Sequence, residues 1–125
     1  MLIDSDVVVL HTHGNIAAAR RVNAIHEWQI SVVTYMELAQ GCSDKPNLAR
    51  LKKGLAAREV KVLQITPAIS QRAADLVDAL ALSHGMRLAD ALIAATAIEH
   101  NMPLLTGNLK HFLPVAELTV EAFVR

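Results

Sequence analysis

Aromatic residues are nearly missing from this chain: they make up 3% of a sequence that is 53% hydrophobic. Its core is therefore built from Ala, Leu, Ile and Val, a composition that suits helices on a buried sheet better than an aromatic-rich β-sandwich. So few flat side chains offer no base-stacking platform, and Trp28 and Tyr35 read as core or interface residues. A single cysteine, Cys42, excludes an intramolecular disulfide and a multi-cysteine zinc site. Excess charge is missing as well, because 12 Lys and Arg balance 12 Asp and Glu. Long-range attraction of a polyanion does not follow from those totals, so any nucleic-acid contact needs a local patch, a metal or a second subunit. Lys52, Lys53, Arg58 and Lys61 cluster loosely beside Arg20 and Arg21, and read as solvated helix faces. No segment approaches the ~20 apolar residues that cross a bilayer. Asp4 and Asp6 break the N-terminal apolar run, so no signal peptide is expected and the chain reads as soluble and cytoplasmic.

What is present is an alternation of short apolar runs with helical stripes. Residues 1–3 form a strand stopped by Asp4-Ser5-Asp6, and residues 7–10 either extend it or form a helical turn. Residues 15–27 carry a helical stripe of Ile16, Ala19, Val22 and Ile25. Residues 29–33 are β-branched and strand-like, after which Thr34 opens a helix ending near Gly41. Residues 43–46 are a break before an amphipathic helix over 47–57, and residues 60–65 form a third strand. Thr66-Pro67 starts a helix that carries Ile69, Ala73, Leu76, Val77 and Leu80 inward and stops at Gly85. A second long helix, residues 88–100, is apolar nearly all round and is expected to be the most buried. Residues 103–106 give a fourth strand, and 118–120 a fifth at the edge. Strands alternating with helices specify an α/β fold, a three-layer α/β/α sandwich with a mainly parallel sheet of four or five strands, as a single domain over 1–125.

In such sheets ligands gather beyond the carboxyl ends of the strands. Asp4, Glu37 and Asn108 all follow predicted strands, and Asp90 opens a helix. Oxygen ligands from separate strand–helix junctions suit a hard divalent cation, Mg²⁺ or Mn²⁺. Each residue also has an ordinary role. Asp-Ser-Asp makes a good turn. Thr34 and Glu37 have the spacing of a capping box. Asp90 in a first helical turn gains roughly 0.3–1 kcal/mol from the helix dipole. That gain is too small for an unpaired carboxylate against Ile93, Ala94 and Ala97, so burial of Asp90 calls for a cation beside it. The six histidines show no zinc-site spacing, and His26, His84, His100 and His111 sit near predicted helix ends.

Taken in order, LIDSD, SVVTYMELAQG, RLADALIAATA and PLLTGNLKHF resemble the PIN-domain ribonucleases, specifically the VapC-type toxins of bacterial toxin–antitoxin pairs. The resemblance runs over almost the whole chain, and its last two blocks are the specific ones. It implies a metal-dependent endoribonuclease that hydrolyses RNA phosphodiester bonds, is dimeric, and is inhibited by a cognate antitoxin. Asp4, Glu37 and Asp90 match the family's acidic metal-site residues. Asn108 matches a fourth position that is often Asp, leaving one charge fewer for a second metal. Asp6 and Thr106 match supporting positions. His11-Thr12-His13 departs from the aromatic and Arg-containing stretch usual there, which bears on substrate or antitoxin contacts. Three carboxylates within ~4 Å would repel by up to ~4 kcal/mol per pair at an effective dielectric of ~20, which a divalent cation cancels. The high apolar fraction suggests a homodimer, using helix faces near residues 49–55 or 73–80.

Two other readings stand beside this one. Asp4-x-Asp6 after the first strand is also the nucleophile motif of HAD-like phosphohydrolases. Asn108 equally suits a catalytically weak PIN-like module kept for binding.

Overall fold

The structure, a computed structural model, describes residues 1–124. Its strands are β1 (Leu2–Ile3), β2 (Gln29–Ser31), β3 (Lys61–Leu63), β4 (Leu104–Thr106) and β5 (Val120–Ala122). Its helices are α1 (Ser5–Thr12), α2 (Ile16–Asn23), α3 (Val32–Gln40), α4 (Lys45–Ala57), α5 (Pro67–His84), α6 (Leu88–Glu99) and α7 (Leu109–Phe112). All strand pairs are parallel, in the order β3-β2-β1-β4-β5. The chain winds outward from β1 through β2 to β3, then crosses back to lay β4 and β5 on the opposite side. The reversal falls between β1 and β4, where Leu2 pairs Leu104 and Ile3 pairs Leu105.

Helices cover both faces, which is why β1 and β4 are buried at every position. The two-residue period of a strand sends neighbours to opposite sides. Leu2 and Leu104 join Ile69, Ala73, Ile93 and Phe112 under α5, α6 and α7. Ile3 and Leu105 join Val7, Val22, Trp28 and Ile30 under α1 and α2. Helix α6 is the most buried, with Ala91, Ile93, Ala94, Ala95, Thr96 and Ala97 all inside, as its all-round apolarity predicts.

The predicted α/β/α sandwich stands, and several boundaries move for local reasons. Residues 7–10 are helical, because Asp4 caps α1 by accepting from the Ser5 amide. Helix α2 ends at Asn23 rather than near 27, where the Val22 carbonyl accepts from the Ile25 amide and the Trp28 indole. Strand β2 stops at Ser31, whose hydroxyl accepts from the Val33 amide and so starts α3 two residues early. Thr34 is thus inside the helix, and the Thr34–Glu37 capping box does not form. Asp44 caps α4 ahead of Pro46, which sits in the first turn where its missing N–H is harmless. Strand β5 lies two residues later than expected, and α7 escapes a periodicity reading because it is only four residues long.

The α5 stripe faces inward as expected, with Ala73 buried and Leu76, Val77 and Leu80 packed on the core, so the stretch 73–80 is not a free dimer face. The last turn of α5 instead presents Leu82, which is fully exposed, near Leu88 and Leu113 in exposure. Among the described residues no helix is long and apolar enough to cross a membrane.

Phe112→Ala empties a fully buried site and is expected to cost about 3–5 kcal/mol in urea unfolding. Leu82→Ala should change stability by less than about 0.5 kcal/mol; comparable losses at the two sites would contradict this packing.

Candidate active site

Asp4 follows β1 directly and Thr106 closes β4, so the strand-order reversal places them side by side. The Thr106 hydroxyl donates to Asp4 Oδ2 at 2.8 Å, and the Ser5 amide donates to Oδ1 at 2.8 Å. The Asp4 residue is 5% exposed. Its carboxyl is pushed up from 3.8 to about 6, chiefly by burial, then by the negative charge of Asp6, with a smaller push from Asp90. The two hydrogen bonds pull the other way and are outweighed. Among the described residues no Lys, Arg or His forms an ion pair with Asp4. A carboxylate so enclosed, with both oxygens engaged, is poorly presented as a HAD-like covalent nucleophile.

Glu37 reaches the same rim from α3. Its Oε1 accepts from the Ser5 hydroxyl at 3.3 Å, and that hydroxyl also lies 3.4 Å from Asp4 Oδ1. Ser5 thereby ties the two acids together. Partial desolvation raises the Glu37 carboxyl, Ser5 opposes this, and Asp90 adds a further push upward. One turn earlier on α3, the Thr34 hydroxyl is fully buried with no hydrogen-bond partner among the described residues. Three residues apart on a helix, Thr34 and Glu37 share a face.

Asp90 lies in the first turn of α6, as expected, but it is not an isolated buried charge. Its Oδ2 is 2.9 Å from His111 Nδ1, and its side chain is 17% exposed. Asp90 thus has a ring nitrogen beside it, whereas Asp4 has only a hydroxyl and a backbone amide. His111 Nδ1 is also 2.9 Å from Asn108 Nδ2. One ring nitrogen cannot donate to Asp90 and accept from Asn108 at once, so these contacts are alternatives. Asn108 precedes α7 and makes no side-chain cap bond there; its amide donates to Thr106 Oγ1 at 3.0 Å. Asp6 is held by the Val7 amide through Oδ1 and the Gly107 amide through Oδ2. A Cβ on Gly107 would stand 2.9 Å from that Oδ2, so the glycine allows the close approach.

All six predicted site residues thus lie around one end of the β1–β4 seam, linked by Ser5 and His111. Sequence reasoning missed both linkers. The signals were faint: Ser5 lies between two aspartates, and His111 stands three after Asn108. The expected tight triad is not preformed. Among the described residues no three His, Cys, Asp or Glu side chains are arranged to hold an ion. Glu37 is drawn to Ser5 and Asp90 to His111, which relieves the repulsion that convergence would impose. The donors are hard oxygens with one hydroxyl left unused, a set that fits a hard divalent cation.

The PIN domain matches residues 1–117 of this chain. Ribonuclease VapC10 of Mycobacterium tuberculosis is 34% identical over 121 residues, which span 90% of this chain and 85% of its own length. A toxin-antitoxin complex from Klebsiella pneumoniae contains a chain that superposes with a TM-score of 0.83 at 25% identity, covering 99% of this chain and 98% of that one. VapBC2 from Rickettsia felis, bound to a DNA fragment from its promoter, superposes with a TM-score of 0.80 over 98% of both chains. Its identity is 19%, so that likeness speaks to the fold alone.

The displacement of Asp4 from 3.8 to about 6 corresponds to roughly 3 kcal/mol. A carboxyl raised by folding adds stability below its unfolded value, and that stability is lost as pH rises through the folded one. In EDTA, Asp4→Asn should therefore exceed wild type by up to about 3 kcal/mol near pH 7, with the gap closing near pH 4. Urea unfolding at both pH values checks this; a gap that does not change with pH would refute it.

Proposed function

This chain belongs to the PIN-domain family, and from that membership we propose that it is a metal-dependent endoribonuclease, the toxin of a toxin–antitoxin pair. The observation that carries the reading is the Asp4 carboxylate, buried beside two other acids with no cation of its own. Asp4, Glu37 and Asp90 would hold a Mg²⁺ or Mn²⁺ ion, with Asp6 and Thr106 in support and Asn108 beside them. A bound divalent cation supplies charge neutralisation and Lewis acidity toward a phosphodiester.

The chain's own residues set the conditions for that chemistry. Thr106 and Ser5 orient Asp4 by a hydrogen bond to each oxygen. The Gly107 amide and the Val7 amide hold Asp6 close to Asp4, which deepens the negative potential there. Glu37, exposed on α3, has the freedom to leave Ser5 and meet a ligand. Asp90 has a donor in His111 that steadies its side chain. Such outer contacts orient a ligand and tune its basicity. The substrate is RNA and the bond broken is a phosphodiester, as the name Ribonuclease VapC10 says of the relative. A cognate antitoxin protein is the partner, by likeness to the toxin-antitoxin complex from Klebsiella pneumoniae. The exposed Leu82, Leu88 and Leu113 offer apolar surface for a homodimer.

Purified protein incubated with RNA should cut it with Mg²⁺ or Mn²⁺ and leave it intact in EDTA. Asp90→Asn should lower the rate by more than the about 10–100-fold that loss of an outer metal contact costs, and should weaken Mn²⁺ binding in calorimetry. Equal cleavage by wild type and Asp90→Asn would overturn the site. Cleavage unaffected by EDTA would overturn the metal dependence. Protein that binds no Mn²⁺ and cuts nothing would be the binding module instead.

A further inference from the structure

A trough leaves the acidic rim and runs between α1 and α4. Its first part is a cavity of about 620 Å³ that starts at Glu37 and passes Leu38, Cys42 and Leu51 to reach Arg50. That is ample for a small organic ligand. A second cavity of about 210 Å³ shares Thr12, Arg50 and Leu51 with the first and continues to Trp28 and Arg58. The shared residues set the two cavities side by side between Glu37 and the indole.

Helix α4 is the outer wall of this trough, and its burial is unusual. It has no fully buried residue, and Leu51 and Leu55 are only half-buried where they face the trough. Beyond Glu37, the trough's Lys, Arg, Asp and Glu side chains are two arginines, Arg50 and Arg58. Arg50 hydrogen-bonds Asn47 and has no carboxylate partner among the described residues. Arg58 bonds the Asn23 side chain and the Val22 carbonyl, again with no acid. Its guanidinium lies 4.2 Å from the centre of the Trp28 ring, on an exposed residue. In a chain of zero net charge, two unpaired guanidiniums thus sit in the groove that opens at the acidic site.

We propose that this trough binds the single-stranded RNA beside the bond that is cut, with Arg50 on a phosphate and a base stacked on the Arg58 plane. The proposal rests on the nuclease reading for its substrate and adds where the strand lies. A guanidinium plane with apolar walls suits a nucleotide, which is flat on one part and anionic on another. Continuity with Glu37 gives the strand a direct route to the acids. An acidic peptide is the other ligand that two arginines would attract, and the experiment separates the two.

A fluorescent single-stranded oligoribonucleotide is titrated into the full chain in EDTA, where no cleavage occurs, at several salt concentrations. Arg50→Ala should weaken binding by about tenfold and flatten the log–log salt dependence by about 0.7, the loss of one single-strand phosphate contact. Arg50→Lys should keep the slope. Arg50 is exposed, and matched melting curves check that the variants fold. Cys42, the only cysteine, gives an independent reading: its alkylation by N-ethylmaleimide should slow several-fold when the oligonucleotide is bound. Wild-type affinity and slope in Arg50→Ala would overturn the proposal. So would an unchanged alkylation rate, or protection of Cys42 by a poly-glutamate peptide but not by RNA. Should these fail while wild type cuts RNA with Mg²⁺, the groove is wrong and the nuclease stands. Should they succeed while wild type cuts nothing, the groove stands and the nuclease is wrong.

Discussion

One carboxylate is kept almost wholly out of water with no positive charge beside it. Asp4 is held by a threonine hydroxyl and a backbone amide, which orient its two oxygens but cannot neutralise them. Burying an ionised group on such terms is costly, and its raised pKa is the measure of that cost. The arrangement requires β1 and β4 to be neighbours, so the strand order and the site are a single constraint. A sheet wound only one way from β1 would leave Asp4 without Thr106.

The two helices that bring the other acids differ in how firmly they do so. Helix α6 is buried along most of its length, and its small alanines let it lie close to its neighbours. Asp90 consequently starts from a fixed backbone, with His111 and Asn108 presented from the short turn after β4. Helix α3 is buried mainly at Val33 and Thr34, and Glu37, one turn on from Thr34, reaches solvent. A fixed acid facing an adjustable one eases the repulsion between them. The outward faces of α1 and α4 extend from the adjustable side, which is where a long substrate has room.

Much of this was readable from local pattern. The Thr66-Pro67 start and the Gly85 stop of α5 are where they were expected, because each is a property of a few adjacent residues. Asp4 after the first strand and Asp90 in a first helical turn were placed correctly for the same reason. The Thr34–Glu37 capping box failed because Ser31 competes for the same role three residues sooner, and a hydroxyl already at the strand end takes precedence. Burial of Asp90 against its apolar helical neighbours called for a cation beside it. What stands there is the ring nitrogen of His111, from beyond β4, which no spacing within α6 reveals. The α5 face assigned to an interface is core, because its stripe is the same whether a sheet or a second chain covers it.

From its order of residues alone, this chain determined where helices and strands form and that hard oxygen donors gather at strand ends. Periodicity, caps and side-chain chemistry act over a few positions and need no fold to operate. Which acid carries the uncompensated charge, and which hydroxyl meets it, only the tertiary structure decided. Thr106 and Asp4 are 102 positions apart, and a hydrogen bond, a desolvation cost and a charge repulsion all depend on distances in space that the sheet alone creates.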